Sequence, residues 1–264
     1  MIALAGGLSI LAVAAGERVA AAPPDSLQCA PSETRMAVPK TVVRPPFADG
    51  EDLVYDVSFG KVHVGSGRMR FTGRDTVRGH AVWTATFTIS GGFSWVSVHD
   101  TTTSWFDSST FTSLRFVQLL NEPGGHPHRI MQIFPDRQIY RKNAEPERAS
   151  VADPVDDVSL VYLIRTLALQ PGQCYEFHRY FEPDGNPVVV HVLRRESVTV
   201  PAGTFSAIVL RPEIRTSGIF SQHGRAELWL SDDSTHTVLQ LTSHLSFGSI
   251  NLYLKQAAAG IGRD

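Results

Sequence analysis

Apolar residues along this chain recur mostly at every second position, the period of a half-buried strand. In Leu53-Val54-Tyr55-Asp56-Val57-Ser58-Phe59, one face carries Leu53, Tyr55, Val57 and Phe59, and Asp52, Asp56 and Ser58 fall on the other. Beyond Gly60, Val62-His63-Val64 resumes the extended pattern, and Met69 and Phe71 continue an inward face after Gly65-Ser66-Gly67. Trp83, Ala85, Phe87 and Ile89 alternate with Thr84, Thr86 and Thr88, and a sheet favours β-branched threonine on its wet face. Gly91-Gly92 is expected to end that strand. Further strands are expected at 94–106, 113–121, 128–134 and 137–142, followed by a polar loop over 143–154. After Cys174 the alternation returns at 175–181. It continues at 187–200 (with a bend near Arg194-Arg195), 205–212, 225–231, 237–247 and 249–255. Pro183-Asp184-Gly185-Asn186 and Pro201-Ala202-Gly203 are turn sequences between strands.

One segment has a different period. Leu160, Leu163, Ile164 and Leu167 stand at i, i+3, i+4 and i+7, one stripe of a helix. Asp156 or Asp157 can cap its start by accepting orphan backbone N–H groups, and Pro171-Gly172 stops it. The expectation is a helix of roughly three turns laid by its stripe on a sheet. Many short strands with regular turns and one helix predict an all-β domain of about 13–15 strands. The form expected is a single antiparallel rolled sheet, a β-spiral or partial barrel, with the helix packed in its curve. No internal repeat is present, and no linker marks a second domain.

The 264 residues are 42% hydrophobic, enough for a sizeable core. Charged residues are 19% and the formal net charge is −2, which gives no basic footprint for nucleic acid and no support for an anionic membrane surface. Residues 1–21 read as a secretory signal peptide. Ile2–Ala15 is apolar but short for a membrane span, and Val19 and Ala21 fit the −3 and −1 positions of a cleavage site, although no Lys or Arg precedes the apolar run. The chain is therefore expected to be periplasmic or secreted, and not an integral membrane protein after cleavage. Residues 22–45 form a Pro-rich, extended arm, 46–256 the β-roll domain, and 257–264 a flexible tail. The two cysteines, Cys29 and Cys174, form no C-x-x-C. In an oxidising compartment they are expected to pair and pin the arm to the body. A loop of about 145 residues gives such a bridge close to 5 kcal/mol as an upper estimate.

Pro46-Phe47-Ala48-Asp49-Gly50-Glu51-Asp52-Leu53-Val54-Tyr55-Asp56-Val57-Ser58-Phe59-Gly60, with Val64-Gly65 after it, resembles the opening signature of a family of exported Gram-negative proteins of unknown function. Val200-Pro201-Ala202-Gly203-Thr204-Phe205, Leu228-Trp229-Leu230-Ser231-Asp232-Asp233 and Leu245-Ser246-Phe247-Gly248 fit the same family, as does the position of the Asp157–Arg165 helix. The resemblance covers roughly 46–255. It implies a periplasmic β-spiral, a curved antiparallel sheet partly wrapping a helix. It is distantly similar to the periplasmic lipoprotein carriers, which hold acyl chains in such a hollow. The resemblance supplies no catalytic residues, and the Cys29 arm lies outside it.

Motifs for chemistry are absent or weak. There is no G-x-S-x-G, H-E-x-x-H or P-loop, and Arg70 stands where Gly65-Ser66-Gly67 would need a third glycine for a dinucleotide site. Asp232-Asp233 could hold a hard cation or tune one carboxyl, but Ser231-Asp232-Asp233-Ser234 is also turn chemistry. His126-Pro127-His128 offers two imidazoles without an evident third ligand. Glu51 could pair with Arg165 at the helix end, a structural tie in preference to a catalytic one. No catalytic residue, metal or cofactor is assigned. The remaining candidates are aromatic: Phe87, Phe93, Trp95, Trp105, Phe106 and Trp229, which would line a hollow if the core leaves one and otherwise form the core. Three functions stay open. The first is a non-enzymatic envelope protein binding a lipid or a lipoprotein acyl chain. The second is an interaction factor for another envelope protein, and the third a hydrolase using loop carboxylates.

Overall fold

A computed structural model describes residues 27–93, 96–121, 127–215, 220, 225–245 and 248–258, with the backbone alone at Phe93, 96–98, His244, Leu245 and Gly248. The expected signal peptide lies outside these residues, as do Trp95, His126 and Ser246-Phe247. The first meander is β2 (Asp52–Phe59), β3 (Val62–Val77), β4 (His80–Phe93), β5 (Val96–Asp107), β6 (Ser113–Leu119), β7 (His128–Phe134), β8 (Ile139–Lys142) and β9 (Arg148–Ala149). The second is β10 (Gln173–Phe177), β11 (Val188–Val200), β12 (Gly203–Glu213), β13 (Glu227–Ser231), β14 (Val238–Leu245) and β15 (Gly248–Ala258). A short β1 (Thr34–Met36) precedes both, and the helix α1 (Asp157–Ile164) connects them.

All fifteen strands join one sheet in the order β1-β10-β11-β12-β13-β14-β15-β2-β3-β4-β5-β6-β7-β8-β9. Each meander runs antiparallel, and β15 pairs with β2 to join them, with Leu252 opposite Val57 and Leu254 opposite Tyr55. The sheet is rolled but not closed, because its two ends are the three-residue β1 and the two-residue β9. Very short edge strands offer little template for pairing with another chain. One pair departs from the antiparallel expectation: β1 runs parallel to β10, which makes the sheet mixed. The arm therefore contributes a strand rather than only an extended tether.

The alternation in β2 translates directly into burial, with Leu53, Tyr55 and Val57 nearly inaccessible. In β4 the strand does not end at Gly91-Gly92 but runs through to Phe93. Gly91 faces Gly65 of β3 in the register, and a Cβ on either would lie 2.1–2.2 Å from the partner strand's carbonyl oxygen. The glycines thus permit a close backbone approach that keeps the pair running. The expected bend in β11 is a bulge between Val192 and Arg194. β15 extends to Ala258, two residues past the expected end of the domain.

Helix α1 lies in the curve against β4 and β5. It has eight residues, about two turns, and Val158–Ile164 are buried on every side rather than along one stripe. It stops before Pro171 because Thr166 and Leu167 donate tighter bonds to Leu163 (3.0 Å) and Ile164 (3.1 Å), and the Thr166 hydroxyl caps the Leu163 carbonyl at 2.7 Å. Around it the rings of Phe47, Phe71, Trp83, Phe106, Phe111 and Tyr162 meet at centroid distances of 4.8–6.3 Å. They form part of one continuous core that reaches into the aliphatic side chains of β11–β15. Among the described residues no helix is long and apolar enough to cross a membrane.

Candidate functional site

The helix is fixed at both ends by buried polar groups. At its start Asp156 is the N-cap and is fully buried. Its Oδ1 accepts from the backbone of Val158 (2.9 Å) and Ser159 (3.0 Å), and its Oδ2 from the hydroxyls of Ser104 (2.5 Å) and Ser113 (2.7 Å). Burial raises the Asp156 carboxyl above its ordinary range despite these four bonds. Burial, and next the charge of Asp156, push the half-buried Asp157 up to about 7, opposed by a bond from the Tyr180 hydroxyl at 3.2 Å. The hydroxyls around Asp156 orient the cap, so the cluster anchors the start of the helix.

At the helix end Arg165 makes the pair with Glu51 that the sequence suggested. Two guanidinium nitrogens donate to the two carboxylate oxygens at 2.6 and 2.7 Å, and neither side chain is more than 8% exposed. The guanidinium also donates to the Thr235 carbonyl at 3.2 Å and lies 4.9 Å from the Phe47 ring centroid. Burial alone would weaken its proton affinity, but the carboxylate outweighs that and holds it charged. From the other side His236 Nδ1 donates to the Arg165 carbonyl at 2.7 Å. The 231–237 turn is therefore tied to the helix end.

That turn forms one wall of a groove of about 310 Å³ at the mouth of the rolled sheet. Its apolar lining is Phe205 of β12, Leu239 of β14 and Leu254 of β15, and its polar rim is Ser231, Asp233, Thr237 and Lys255. The Ala202 amide bonds to the Leu254 carbonyl at 2.9 Å, which holds the β11–β12 turn against β15 at the groove's edge. The carboxylate pair in the wall is committed to structure. Asp233 Oδ1 accepts from the Ser231 hydroxyl (2.9 Å), the Thr235 amide (2.8 Å) and the Thr235 hydroxyl (2.6 Å), and Asp232 pairs with Arg195 at 2.8 Å. Burial pushes Asp233 up, but the bonds from Thr235 and Ser231 prevail and keep it below the usual range. A second groove of about 370 Å³ runs over the wet face of β3 and β4, among Ser66, Arg68, Arg70, Thr86, Thr88 and Ser90. There Arg68 is held by Asp52 on two bonds, and this hydrogen bonding is the main cause of the lowered Asp52 carboxyl.

The aromatic candidates do not share one surface. Phe106 is fully buried in the ring cluster, and Phe87 packs half-buried on the same core. Trp105, the next residue along β5, faces the opposite way. Its Nε1 donates to Asp75 at 2.8 Å, and Arg115 lies 5.0 Å from its ring centroid. Trp229 Nε1 donates to Glu196 at 2.6 Å, beside Arg194 at 5.9 Å. The side chain of Phe93, and Trp95 altogether, lie outside the described residues. His128 is exposed. Sequence reasoning missed the groove lining, whose one visible signal was that the Pro201-Ala202-Gly203 and Asp232-Asp233 turns flank it. It also missed a trio whose potential ligand atoms lie within 4.8 Å of one another, Glu33, Cys174 and His191. Cys29 and Cys174 are joined in a disulfide, with Cα atoms 5.7 Å apart.

Residues 54–255 match the family described as Protein of unknown function (DUF3108). No curated protein matches the sequence. Among solved structures, a β-barrel-like protein of the domain of unknown function DUF1849 from Brucella abortus is similar at a TM-score of 0.51 and 11% identity, over 81% of this chain and 99% of that one. A protein described as a lipoprotein, from Parabacteroides distasonis, matches at 0.36 and 11% over 81% and 98% of the two chains. A protein described as exported, with a YmcC-like fold, from Bacteroides fragilis matches at 0.32 and 12% over 81% and 97%. The first of these supports the barrel-like fold, and none bears on activity.

Proposed function

Because the chain belongs to the DUF3108 family, whose function is unknown, we propose a function from its own residues: an exported envelope protein that holds an apolar or acyl-bearing ligand without transforming it. The observation that carries this reading is the groove at the mouth of the sheet. Its volume of about 310 Å³ is at the lower end of the roughly 300–1,000 Å³ of ligand sites. Phe205, Leu239 and Leu254 suit a hydrocarbon segment, and Thr237 at the rim suits a polar headgroup, while the Lys255 ammonium is held by Asp56 at 3.1 Å. The aromatic half of the hollow is filled by touching rings, so the ligand's place is the mouth and not the space around the helix. Export is supported by the Ile2–Ala22 segment and by the Cys29–Cys174 bridge, which suits an oxidising compartment such as the periplasm.

The alternative of a protein-docking factor has less behind it. The exposed large hydrophobic residues among those described are Val43, Val62 and Leu119, which stand on separate elements. The experiment is native mass spectrometry of the full chain purified from a Gram-negative periplasm. We expect an intact mass corresponding to cleavage after Ala21 together with lipid-sized adducts, the adducts being lost in Phe205→Glu. Bare protein under gentle conditions, or adducts that persist in Phe205→Glu, would overturn the assignment of this groove.

A further inference from the structure

The bridge that pins the arm is surrounded by further metal-ligating groups. Cys174 on β10 stands opposite His191 on β11 in the strand register. The arm brings Glu33 to the same place, with both carboxylate oxygens 2.8–2.9 Å from His191 Nδ1. Glu33 is itself oriented by the arm's turn, where its Oε2 accepts from the Ala30 amide at 2.7 Å and its amide donates to the Ala30 carbonyl at 3.0 Å. Both the histidine and the glutamate side chains are about 15% exposed, so the site is sheltered but reachable. Leu27 and Val189 cover the sulfurs.

From this arrangement we infer that the reduced protein holds a zinc-class divalent cation on Cys174, His191 and Glu33, whose ligand atoms lie within 4.8 Å of one another, with the freed Cys29 thiol turning in as the fourth ligand. Two thiolates, an imidazole and a carboxylate are a complete tetrahedral donor set for zinc. The disulfide and the metal are alternative locks on the same arm. In the oxidised chain the sulfur–sulfur bond occupies both thiol ligands. A dithiol reductant passes two electrons and two protons to the bridge, giving two cysteine thiols and leaving itself as a disulfide. The cation then displaces those two thiol protons to solvent and takes the place of the hydrogen between His191 Nδ1 and Glu33, which the imidazole carries on Nε2 instead as it changes tautomer. The chemistry lets the arm stay docked wherever a reductant opens the bridge.

The test uses the full chain, reduced with a dithiol and freed of it under anaerobic conditions, and titrated with Co²⁺ and then Zn²⁺. We expect the thiolate-to-cobalt charge-transfer bands and strong d–d bands of a tetrahedral site in the reduced chain and neither in the oxidised one. His191→Ala and Glu33→Gln should each weaken binding at least about 10-fold, the loss that even an outer-shell partner produces. Binding by the oxidised chain equal to that of the reduced one would overturn the inference. So would thiolate bands insensitive to both His191→Ala and Glu33→Gln. Should the reduced chain lose its fold, the site still requires Zn²⁺ to raise its melting temperature while leaving Cys29→Ser/Cys174→Ser unmoved. No rise, or an equal rise in both, would count against it.

Discussion

Removing Glu51 alone should be among the most damaging single changes in this chain. The partner left behind, Arg165, has a side chain with 0% exposure and loses two hydrogen bonds of 2.6 and 2.7 Å at once. Its remaining contacts, the Thr235 carbonyl at 3.2 Å and the Phe47 ring at 4.9 Å, cannot neutralise a full buried charge. Breaking a buried pair by taking one partner typically destabilises by about 3–5 kcal/mol, because the other ion stays desolvated. For a domain this large each kcal/mol shifts the melting temperature by about 2–4 °C, so Glu51→Leu should lower it by roughly 6–20 °C. Removing both charges is a different perturbation. Glu51→Leu/Arg165→Met leaves no uncompensated ion and should recover most of the loss, since apolar replacements of such pairs are often neutral or stabilising by about 1–4 kcal/mol. Guanidinium denaturation of the wild type, the two single variants and the double variant, all with the disulfide intact, completes the cycle. A single-variant loss under about 1 kcal/mol, or a double variant as unstable as Glu51→Leu, would refute the reasoning.

Two further outcomes follow from the same structure. Asp157 binds its proton more tightly folded than unfolded, with its carboxyl pushed up to about 7. Stability should therefore fall as pH rises from the ordinary carboxylate range to about 7, and Asp157→Asn should flatten that slope and exceed the wild type near pH 8; equal slopes in denaturation series would contradict it. Gly91→Ala places a Cβ 2.1 Å from the Val64 carbonyl oxygen. Overpacking of this kind typically destabilises by about 1–3 kcal/mol, and hydrogen exchange should quicken locally along β3 and β4; an unchanged denaturation midpoint would show that the approach is not tight.

The strands were legible because alternation and burial share one cause. Tyr55 and Val57 are inward whatever the neighbouring strand is, so their burial could be read without knowing the topology. The helix was legible by period, but its length was not, because the stop is set by the tightened turn at Thr166 and Leu167 and the Thr166 hydroxyl on the Leu163 carbonyl, and not by Pro171. Choosing ligand-lining candidates by residue type ignored faces: Trp105 and Phe106 are adjacent, and neighbours on a strand necessarily point opposite ways. β1 was invisible because three residues carry no usable period, and its pairing with β10 depends on the distant cysteine. The groove gathers Phe205, Leu239 and Leu254 from three strands whose relative places are set by the β12–β13, β13–β14 and β14–β15 pairings.

The helix anchor and the groove are mechanically one object. The Arg165 guanidinium bonds to the Thr235 carbonyl, and His236 returns a bond to the Arg165 carbonyl. The same turn presents Ser231, Asp233 and Thr237 to the groove, with Asp233 spending one oxygen on three local bonds. Glu51 in turn immediately precedes β2, and β2 pairs with β15, which carries Leu254 and Lys255 into the opposite side of the groove. One buried ion pair thus ties both walls to the helix. Buried pairs contribute little net stability over an apolar substitute, so their worth here is positional. The apolar pair of Glu51→Leu/Arg165→Met could keep the fold, but it could not bond the Thr235 carbonyl, and the turn would keep its His236 bond to the helix end and its Asp232 pair with Arg195 while losing the guanidinium. Stability and ligand retention should therefore separate in the double variant, with the first preserved and the second weakened.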